Sequence, residues 1–399
     1  MAVKDLTESQ QKKRPSERKT APICWLFCSV IDNYGDIGVS WRLAQILQRE
    51  LGWQVHLWLD DEAALRALSP GLPSPPCTHE NIAVRHWQAG RQAEGLARAP
   101  APQIVIETFG CDLPADVVQI MRQTQPLWLN WEYLSAEAAH EALHARPSLQ
   151  ADGLQKFFWF MGFSEKSGGL LREADYAERS QSGLPELRRR LGLPQKNRPE
   201  WLLFGYRSPI WAQWFEMWQQ AGAPIRLFAA GKEIIESLQQ ARVIPADALQ
   251  QPGDCFQTAS VELVRLPFVP QHDFDRLLAL ADGLIIRGED SFVRAQWAAK
   301  PFFWHIYPQD EMAHLDKLHA FWQRAYAHYP PQVRAAHRVL SDELNGAAAL
   351  DAAARLAAWQ ALQNHLPAWQ QAAEGWQQSL RTQPAATEKL ANFIQDKLK

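Results

Sequence analysis

The sequence lacks the features that mark membrane, nucleic-acid-binding and secreted proteins. No apolar run approaches the roughly 18 residues that a membrane-spanning helix needs. The 399 residues carry a net charge of −3 and the pI is near 6.5, so no general signal for nucleic-acid or membrane binding is present. Residues 1–20 are polar, without the apolar segment of a secretory signal. We therefore expect a cytoplasmic protein with residues 1–20 as a disordered tail.

Cysteine is also scarce and irregularly placed. The five cysteines are odd in number, and their spacing matches neither a disulfide framework nor a zinc motif. Cys24 and Cys28 lie in an apolar run that predicts a strand. We interpret them as small core residues rather than metal ligands.

The glycine motifs of common nucleotide-binding folds are missing. A predicted strand at 23–31 is followed by the turn DNYGDIG at 32–38, which contains no G-x-G-x-x-G and no P-loop lysine. A dinucleotide-dependent dehydrogenase is therefore disfavoured. The turn instead carries two carboxylates, Asp32 and Asp36, beside glycines. Either carboxylate could cap the following helix, or act as a base or a cation ligand.

What the sequence does contain is an alternation of strand and helix that occurs twice. Apolar runs of strand length lie near 23–31, 54–59, 104–106, 126–134 and 157–163, and again near 201–206, 225–230, 261–266, 284–286 and 302–306. Helical spacing between them predicts an α/β protein with two Rossmann-like, doubly wound domains facing a cleft. The predicted boundaries are 21–170 for the first domain, 171–200 for a linker, 201–365 for the second domain, and 366–399 for C-terminal helices that pack back on the first.

The stretch from 284 to 310 predicts a strand, a polar turn, a helix over 292–299 and a second strand. The turn Arg287-Gly288-Glu289-Asp290-Ser291 lies where open α/β sheets bind ligands, beyond the carboxyl ends of the strands. Gly288 allows a bend and a close approach, and Ser291 or Asp290 is placed to cap the helix. The helix start and the Arg287 cation together suit a diphosphate.

The carboxylates of this turn do not suit a diphosphate. Glu289 and Asp290 would repel an anion, so they are better placed to face hydroxyl groups or a cationic partner. Such a combination suggests a nucleotide-activated sugar rather than a bare nucleotide. The alternative is a capped helix with an ion pair at its start, and spacing alone does not separate the two.

A D-x-D pattern at Asp273-Phe274-Asp275 is typical of metal-dependent sugar transferases. It opens a predicted helix at 273–281, where aspartates are favoured as caps. We therefore interpret these aspartates as structural, and a metal-binding role is disfavoured.

Three segments resemble the family of elongation factor P arginine rhamnosyltransferases, EarP, and most closely its Neisseria-type members. They are DNYGDIGVSWR at 32–42, LPFVPQ at 266–271 and RGEDSFVRAQ at 287–296. The resemblance runs from about residue 23 to the C-terminus. It implies a glycosyltransferase of B-type fold, dTDP-β-L-rhamnose as the donor, and one arginine of elongation factor P as the acceptor. It also implies inversion at the anomeric carbon, without a metal or other cofactor.

The resemblance also assigns roles to residues of this sequence. It makes Asp36 the general base, with Asp32 and Glu289 as further catalytic carboxylates. The residues expected at the substrates are Asn33, Tyr34, Gly35, Tyr206, Phe268, Gln271, Arg287, Gly288, Asp290 and Ser291. This chemistry is reasonable, because a guanidinium stays protonated at neutral pH and a nearby carboxylate can align it and accept a proton. Phe268, between prolines, would offer a face to thymine, unless it is a core aromatic.

Two other functions remain open from the sequence. The chain could be another B-type sugar-nucleotide transferase or an epimerase, which a product assay would separate. It could also be a non-catalytic module that binds a nucleotide sugar or a translation factor. That module would bind without turnover and would leave Asp36 without a chemical purpose.

Overall fold

The computed structural model describes residues 21–31, 34–88, 92–151 and 153–397. Asp32, Asn33 and the predicted tail at 1–20 lie outside these ranges. The described chain forms two sheets with helices on their faces, which confirms the predicted α/β class. No helix in these ranges is both long and apolar enough to cross a bilayer.

The first sheet contains nine strands within the described residues, in the order β3-β4-β2-β1-β6-β7-β9-β8, with β5 beside β4. They are β1 Ile23–Cys28, β2 Gln54–Leu59, β3 Cys77–His79, β4 Ile82–Gln88, β5 Gln92–Ala93, β6 Ile104–Thr108, β7 Leu127–Ser135, β8 Pro147–Leu149 and β9 Gln155–Gly162. The central strands pair in parallel, while β3, β5 and β8 are antiparallel. The order reverses between β1 and β6, where ligands bind in open parallel sheets.

The second sheet has six strands within the described residues, in the order β12-β13-β11-β10-β14-β15. They are β10 Glu200–Leu203, β11 Ile225–Ala229, β12 Cys255–Gln257, β13 Val261–Arg265, β14 Gly283–Ile286 and β15 Phe302–Trp304. All pairs are parallel except β12–β13. Here the order reverses between β10 and β14, so each sheet has its own switch point.

The helices alternate with the strands and then continue alone to the C-terminus. They are α1 Gly35–Arg49, α2 Glu62–Leu68, α3 Ala115–Thr124, α4 Ala138–Leu143, α5 Tyr176–Gln181, α6 Leu184–Arg190, α7 Ile210–Ala221, α8 Glu233–Gln240, α9 Gln271–Leu280, α10 Asp290–Ala298, α11 His314–Ala325, α12 Pro331–Leu344, α13 Ala352–Asn364, α14 Leu366–Arg381 and α15 Ala386–Lys397. Short 3₁₀ turns lie at Leu96–Arg98, Asp310–Met312 and Tyr326–His328.

Aromatic packing extends from the first sheet into the second. Phe163, just after β9, contacts Phe321 of α11 with ring centroids 5.0 Å apart. Phe321 in turn packs edge-on against Phe292 of α10 at 4.7 Å, and Phe292 stacks on Trp304 of β15 at 3.8 Å. This continuous buried core holds the strand ends of the two sheets near one another.

The predicted linker at 171–200 is not extended. It contains α5 and α6, and Glu173, Tyr176 and Leu187 within it are buried. After α14, helix α15 returns to the first sheet. There its Phe393 ring lies 5.3 Å from Phe157. The division of the chain into domains at these boundaries remains a prediction.

Two predicted helix starts were wrong by two residues. The helix predicted from Phe292 begins at Asp290, and the one predicted from Asp273 begins at Gln271. Asp290 and Asp273, two of the side chains expected as caps, are instead bound by arginines.

Candidate functional site

The described residues among those predicted for the site follow the carboxyl ends of four strands. Tyr34, Gly35 and Asp36 come after β1, Tyr206 after β10, Phe268 and Gln271 after β13, and Arg287 to Ser291 after β14. The ends of β1, β10 and β14 lie at the two switch points, and the end of β13 lies two strands from the second one. The fold thus brings the predicted residues to the ligand-binding edges of the two sheets. Asp32 and Asn33 belong to the same first turn but lie outside the described residues.

Asp36 occupies the first turn of α1, where a carboxylate is favoured by the helix dipole. It is 2% exposed. The amide of Ile31 donates to its Oδ2 at 2.9 Å. The hydroxyl of Tyr133, at the end of β7, donates to Oδ1 over a longer 3.4 Å. The Tyr133 ring stacks on Phe109 with centroids 4.3 Å apart, which fixes the hydroxyl beside the carboxylate.

The second turn bends at Gly288, which has a φ of +71° and open space where a Cβ would lie. Both properties fit the predicted close approach of a ligand. Helix α10 begins at Asp290 with Glu289 at its N-cap, and this fully described segment shows no side-chain cap. The prediction that Ser291 or Asp290 caps the helix was therefore wrong. Ser291 instead lies half-buried in the first turn.

Each charged side chain of this second turn is paired with an opposite charge. Arg287 donates from Nη2 to Oε1 of Glu233 at 2.9 Å. Its guanidinium also lies over the Tyr206 ring, 4.9 Å from the centroid. Burial alone would raise the pKa of Glu233, but Arg287 and nearby N–H donors hold it below its ordinary value.

Glu289 is bound by helix α11 and by the end of strand β7. Lys317 of α11 donates to its Oε1 at 2.7 Å, and the backbone amide of Leu134, at the end of β7, donates to its Oε2 at 3.0 Å. The strand end that contacts Asp36 through Tyr133 therefore also contacts Glu289. These partners were not foreseen, since the sequence pointed to a sugar hydroxyl or the acceptor.

Asp290 and Gln271 contact α1. Arg42 donates to both oxygens of Asp290, at 2.8 Å and 3.0 Å. The amide of Gln271 donates to the Gly38 carbonyl at 2.7 Å. The helix that carries Asp36 is thus hydrogen-bonded to elements that carry predicted donor-binding residues.

Two aromatic side chains meet at the opening between the turns. Tyr34 and Phe268 have ring centroids 5.1 Å apart and are tilted by 52°. They are 44% and 54% exposed, so the alternative that Phe268 is a core aromatic is wrong. A stacking face for a base is available at this position.

Tyr206 is positioned by a buried histidine. The Tyr206 amide donates to Nδ1 of His305 at 3.1 Å, which requires that nitrogen to be unprotonated. Burial lowers the pKa of His305 to about 3, and the nearby Arg287 and His314 act in the same direction. The histidine is therefore neutral near pH 7.

The aspartates of the D-x-D pattern bind arginines. Asp273 pairs with Arg190 and Arg276, and Asp275 accepts from Nε of Arg294 at 2.6 Å. Ion pairing rather than capping engages these carboxylates, and their interpretation as structural residues remains a prediction. The described residues contain no cluster of three or more His, Cys, Asp or Glu side chains arranged to hold a metal ion.

Sequence reasoning missed Arg42, Tyr133, Glu233 and Lys317. Only Arg42 carried a detectable signal. It lies between Trp41 and Leu43 in a helix whose neighbouring positions are apolar, and a buried arginine requires an acidic partner.

The arrangement of two facing sheets is shared with solved transferase structures. A UDP-bound UGT transferase from Siraitia grosvenorii superposes with a TM-score of 0.50 at 10% identity, over 94% of this chain and 100% of that one. At this identity the likeness concerns the fold alone. The class defined by the fold is the B-type glycosyltransferase.

Closer relatives give the family. The family described as Elongation-Factor P (EF-P) rhamnosyltransferase EarP matches residues 24–395. A protein-arginine rhamnosyltransferase from Neisseria meningitidis serogroup B is 63% identical over 372 residues, which cover 93% of this chain and 97% of the relative. A solved structure, described as the basis for EarP-mediated arginine glycosylation of elongation factor EF-P, matches with a TM-score of 0.64 at 28% identity, over 94% and 99% of the two chains. The chain belongs to the EarP family, which confirms the predicted resemblance and enzyme class.

Proposed function

We propose that this enzyme transfers L-rhamnose from dTDP-β-L-rhamnose to the side chain of one arginine of elongation factor P. Family membership supports the reaction. One structural observation supports the site: the turns that carry Asp36 and Arg287 follow switch-point strands of the two sheets, and helix α1, which begins in the first turn, contacts the second turn. That contact includes the bonds from Arg42 to Asp290.

Asp36 is the proposed general base. The acceptor guanidinium nitrogen attacks the anomeric carbon and forms a C–N bond, while the bond from that carbon to the diphosphate oxygen breaks. Asp36 accepts the proton that the attacking nitrogen loses, and dTDP leaves with the bonding electron pair. A single displacement of this kind inverts the anomeric centre and requires no enzyme nucleophile. Its position in the first turn, beside the contact region, supports this role. Asp32 remains a further predicted catalytic residue.

The second turn is proposed to hold the donor. Arg287 and the first N–H groups of α10, near Ser291, are placed to stabilise the negative charge that the leaving dTDP gains. The open backbone at Gly288 allows the diphosphate to approach. Phe268, together with Tyr34, offers an exposed aromatic face for thymine. Tyr206 and Gln271, and Asn33 and Gly35 of the first turn, complete the residues proposed to contact the substrates. Asp290, which was predicted with them, is bound by Arg42 and is proposed to support the donor site without contacting the donor.

Glu289 is proposed to act on the sugar or the acceptor. Its contacts with Lys317 and the Leu134 amide place it between the two sheets. An incoming acceptor guanidinium could replace the lysine ammonium, since both are cations. We further propose that the reaction requires no metal ion, so that EDTA leaves the rate unchanged.

The test is the intact mass of elongation factor P after incubation with the enzyme. With dTDP-rhamnose the mass should rise by one deoxyhexose, about 146 Da, and replacement of the acceptor arginine by lysine should abolish the increase. UDP-glucose in place of dTDP-rhamnose is the donor control and should add nothing. Binding of dTDP-rhamnose without any mass change would support a non-catalytic module and contradict the proposal.

A further inference from the structure

Arg42 connects the base-bearing helix to the donor turn. It lies on α1 and is 1% exposed. Its guanidinium donates from Nε to Oδ1 of Asp290 at 2.8 Å and from Nη2 to Oδ2 at 3.0 Å. This bidentate geometry fixes orientation as well as distance. Since Asp36 is on the same helix as Arg42, the pair ties the position of the proposed base to the start of α10.

Four more charged side chains surround this pair. Arg42 Nη1 contacts Glu173 Oε1 at 2.5 Å and lies 3.8 Å from Asp275 Oδ2. The same two carboxylates bind Arg294, which is fully buried, and Arg179. The group comprises three arginines and three carboxylates, so its formal charge is zero: Arg42, Arg179, Arg294, Glu173, Asp275 and Asp290.

The carboxylates of this network favour the ionised state of Arg42. Burial alone would lower the pKa of Arg42, but Asp290, Glu173 and Asp275 hold it well above its ordinary value. Removal of one member would leave an uncompensated buried charge. The free-energy cost of such a charge is larger than the net stabilisation that the intact pair provides. Buried ion pairs of this kind are therefore better evidence for a fixed geometry than for stability.

We propose that Arg42 is a positioning residue of the donor site, which neutralises Asp290 and sets the placement of α10 relative to α1. The inference rests on the proposed function, because it takes the start of α10 as the diphosphate site. Asp290 lies in the first turn of that helix, where a free carboxylate would repel a diphosphate. Bound to Arg42, it leaves the helix N–H groups available to an anion. The sequence places the Asp290 carboxylate at a predicted diphosphate site, and its pairing with Arg42 reduces the repulsion that this would cause.

The test compares dTDP with thymidine, which has the base but no phosphate. Arg42→Gln is expected to weaken dTDP binding at least ~10-fold, while thymidine binding changes by less than ~3-fold. The double variant Arg42→Gln/Asp290→Asn removes both charges, and we expect dTDP affinity to return to within ~3-fold of wild type. Arg49→Gln is the matched control, since Arg49 lies on the same helix but pairs with Glu80 at the surface, and should change neither affinity.

Equal losses of dTDP and thymidine affinity in Arg42→Gln, or no recovery in the double variant, would overturn the proposal. If Arg42→Gln does not fold, Arg42→Lys decides the matter, because it keeps a positive charge near Asp290 but loses the bidentate geometry. A loss of dTDP affinity of at least ~3-fold with unchanged thymidine affinity supports the proposal, whereas equal losses of both affinities overturn it. A wild-type enzyme that fails to bind dTDP would instead contradict the proposed function, so the two failures are distinguishable.

Discussion

The turn after β1 and the turn after β14 occupy equivalent places in the two sheets. Each connects a buried inner strand at a switch point to a helix with an aspartate in its first turn, Asp36 in α1 and Asp290 in α10. Their described partners differ. Asp36 accepts hydrogen bonds from neutral groups, the Ile31 amide and the Tyr133 hydroxyl. Asp290 is held by the charged guanidinium of Arg42.

We propose that the two turns have different functions, proton transfer and donor binding. Around the second turn, Arg287, Glu289 and Asp290 are each matched by an opposite charge on another element. Such a turn can hold a charged donor in a fixed position. Hydrogen bonds from the Ile31 amide and the Tyr133 hydroxyl orient the Asp36 carboxylate for the proton transfer proposed above. We therefore propose proton transfer at Asp36 and binding of the diphosphate at the second turn.

The largest expected effect is that of Asp36→Asn. Loss of the base should lower the transfer rate ~10²–10⁴-fold, while dTDP affinity stays close to wild type. Single-turnover transfer and calorimetry measure the two quantities. Asp60→Asn is the matched control, because Asp60 binds Ser29 and the Val30 amide in the same loop but has no proposed chemical role. A rate for Asp36→Asn within tenfold of wild type would rule out Asp36 as the base.

Substitutions at Phe268, after β13, and at Arg287, in the second turn, should act on donor binding. Phe268→Ala removes an exposed stacking face, worth very roughly 1–3 kcal/mol by analogy with nucleobase stacking. Arg287→Ala removes a charge-assisted contact to phosphate. Both should weaken dTDP binding in calorimetry, whereas Arg338→Ala, which removes an exposed arginine of α12, should not. Unchanged affinity in both variants would place the nucleotide elsewhere.

Glu289→Gln should lower the transfer rate by at least ~10-fold, about the size of one lost charge-assisted hydrogen bond. The affinity for dTDP should be equal or slightly better, since a negative charge is removed. The glutamine side-chain oxygen can still accept a hydrogen bond from the Leu134 amide, so this contact with β7 is kept. If the melting temperature falls and the rate per folded molecule survives, Glu289 is structural. Lys317→Gln provides the comparison, as it breaks the same ion pair and keeps the carboxylate.

A smaller effect concerns the free energy of unfolding at acid pH, to which two buried histidines in the second half of the chain contribute. Burial lowers the pKa of His305 and of His337 to about 3 in the folded protein. Below pH ~6.5 the unfolded chain binds protons that the folded state excludes, so stability is present above that pH and is lost as pH falls towards 3. The slope should reach up to about 1.4 kcal/mol per pH unit for each histidine. Denaturant unfolding at pH 6.5 and 4.5 should show a smaller pH dependence in His337→Asn, and an unchanged slope would contradict this.

Local sequence signals predicted ten of the fifteen described strands and the positions of both turns, but not β3, β4, β5, β8 and β12. Strand Gln54–Leu59 was predicted with its observed bounds, because Asp60 and Asp61 follow it. The bond from Arg42 to Asp290 was not predicted, because the two residues are 248 positions apart. The pairing of Arg287 with Glu233 was likewise invisible, because it spans 54 positions and depends on how two loops meet. Chain topology, not local propensity, decides such contacts.

The most direct test separates proton transfer by Asp36 from donor binding by Phe268. It measures the single-turnover rate of Asp36→Asn and Phe268→Ala as a function of dTDP-rhamnose concentration. We predict that Phe268→Ala raises the donor concentration at half-saturation, while its rate at saturation approaches that of wild type. For Asp36→Asn we predict half-saturation near the wild-type concentration and a plateau rate ~10²–10⁴-fold lower. A plateau for Asp36→Asn that recovers at high donor concentration would contradict the account.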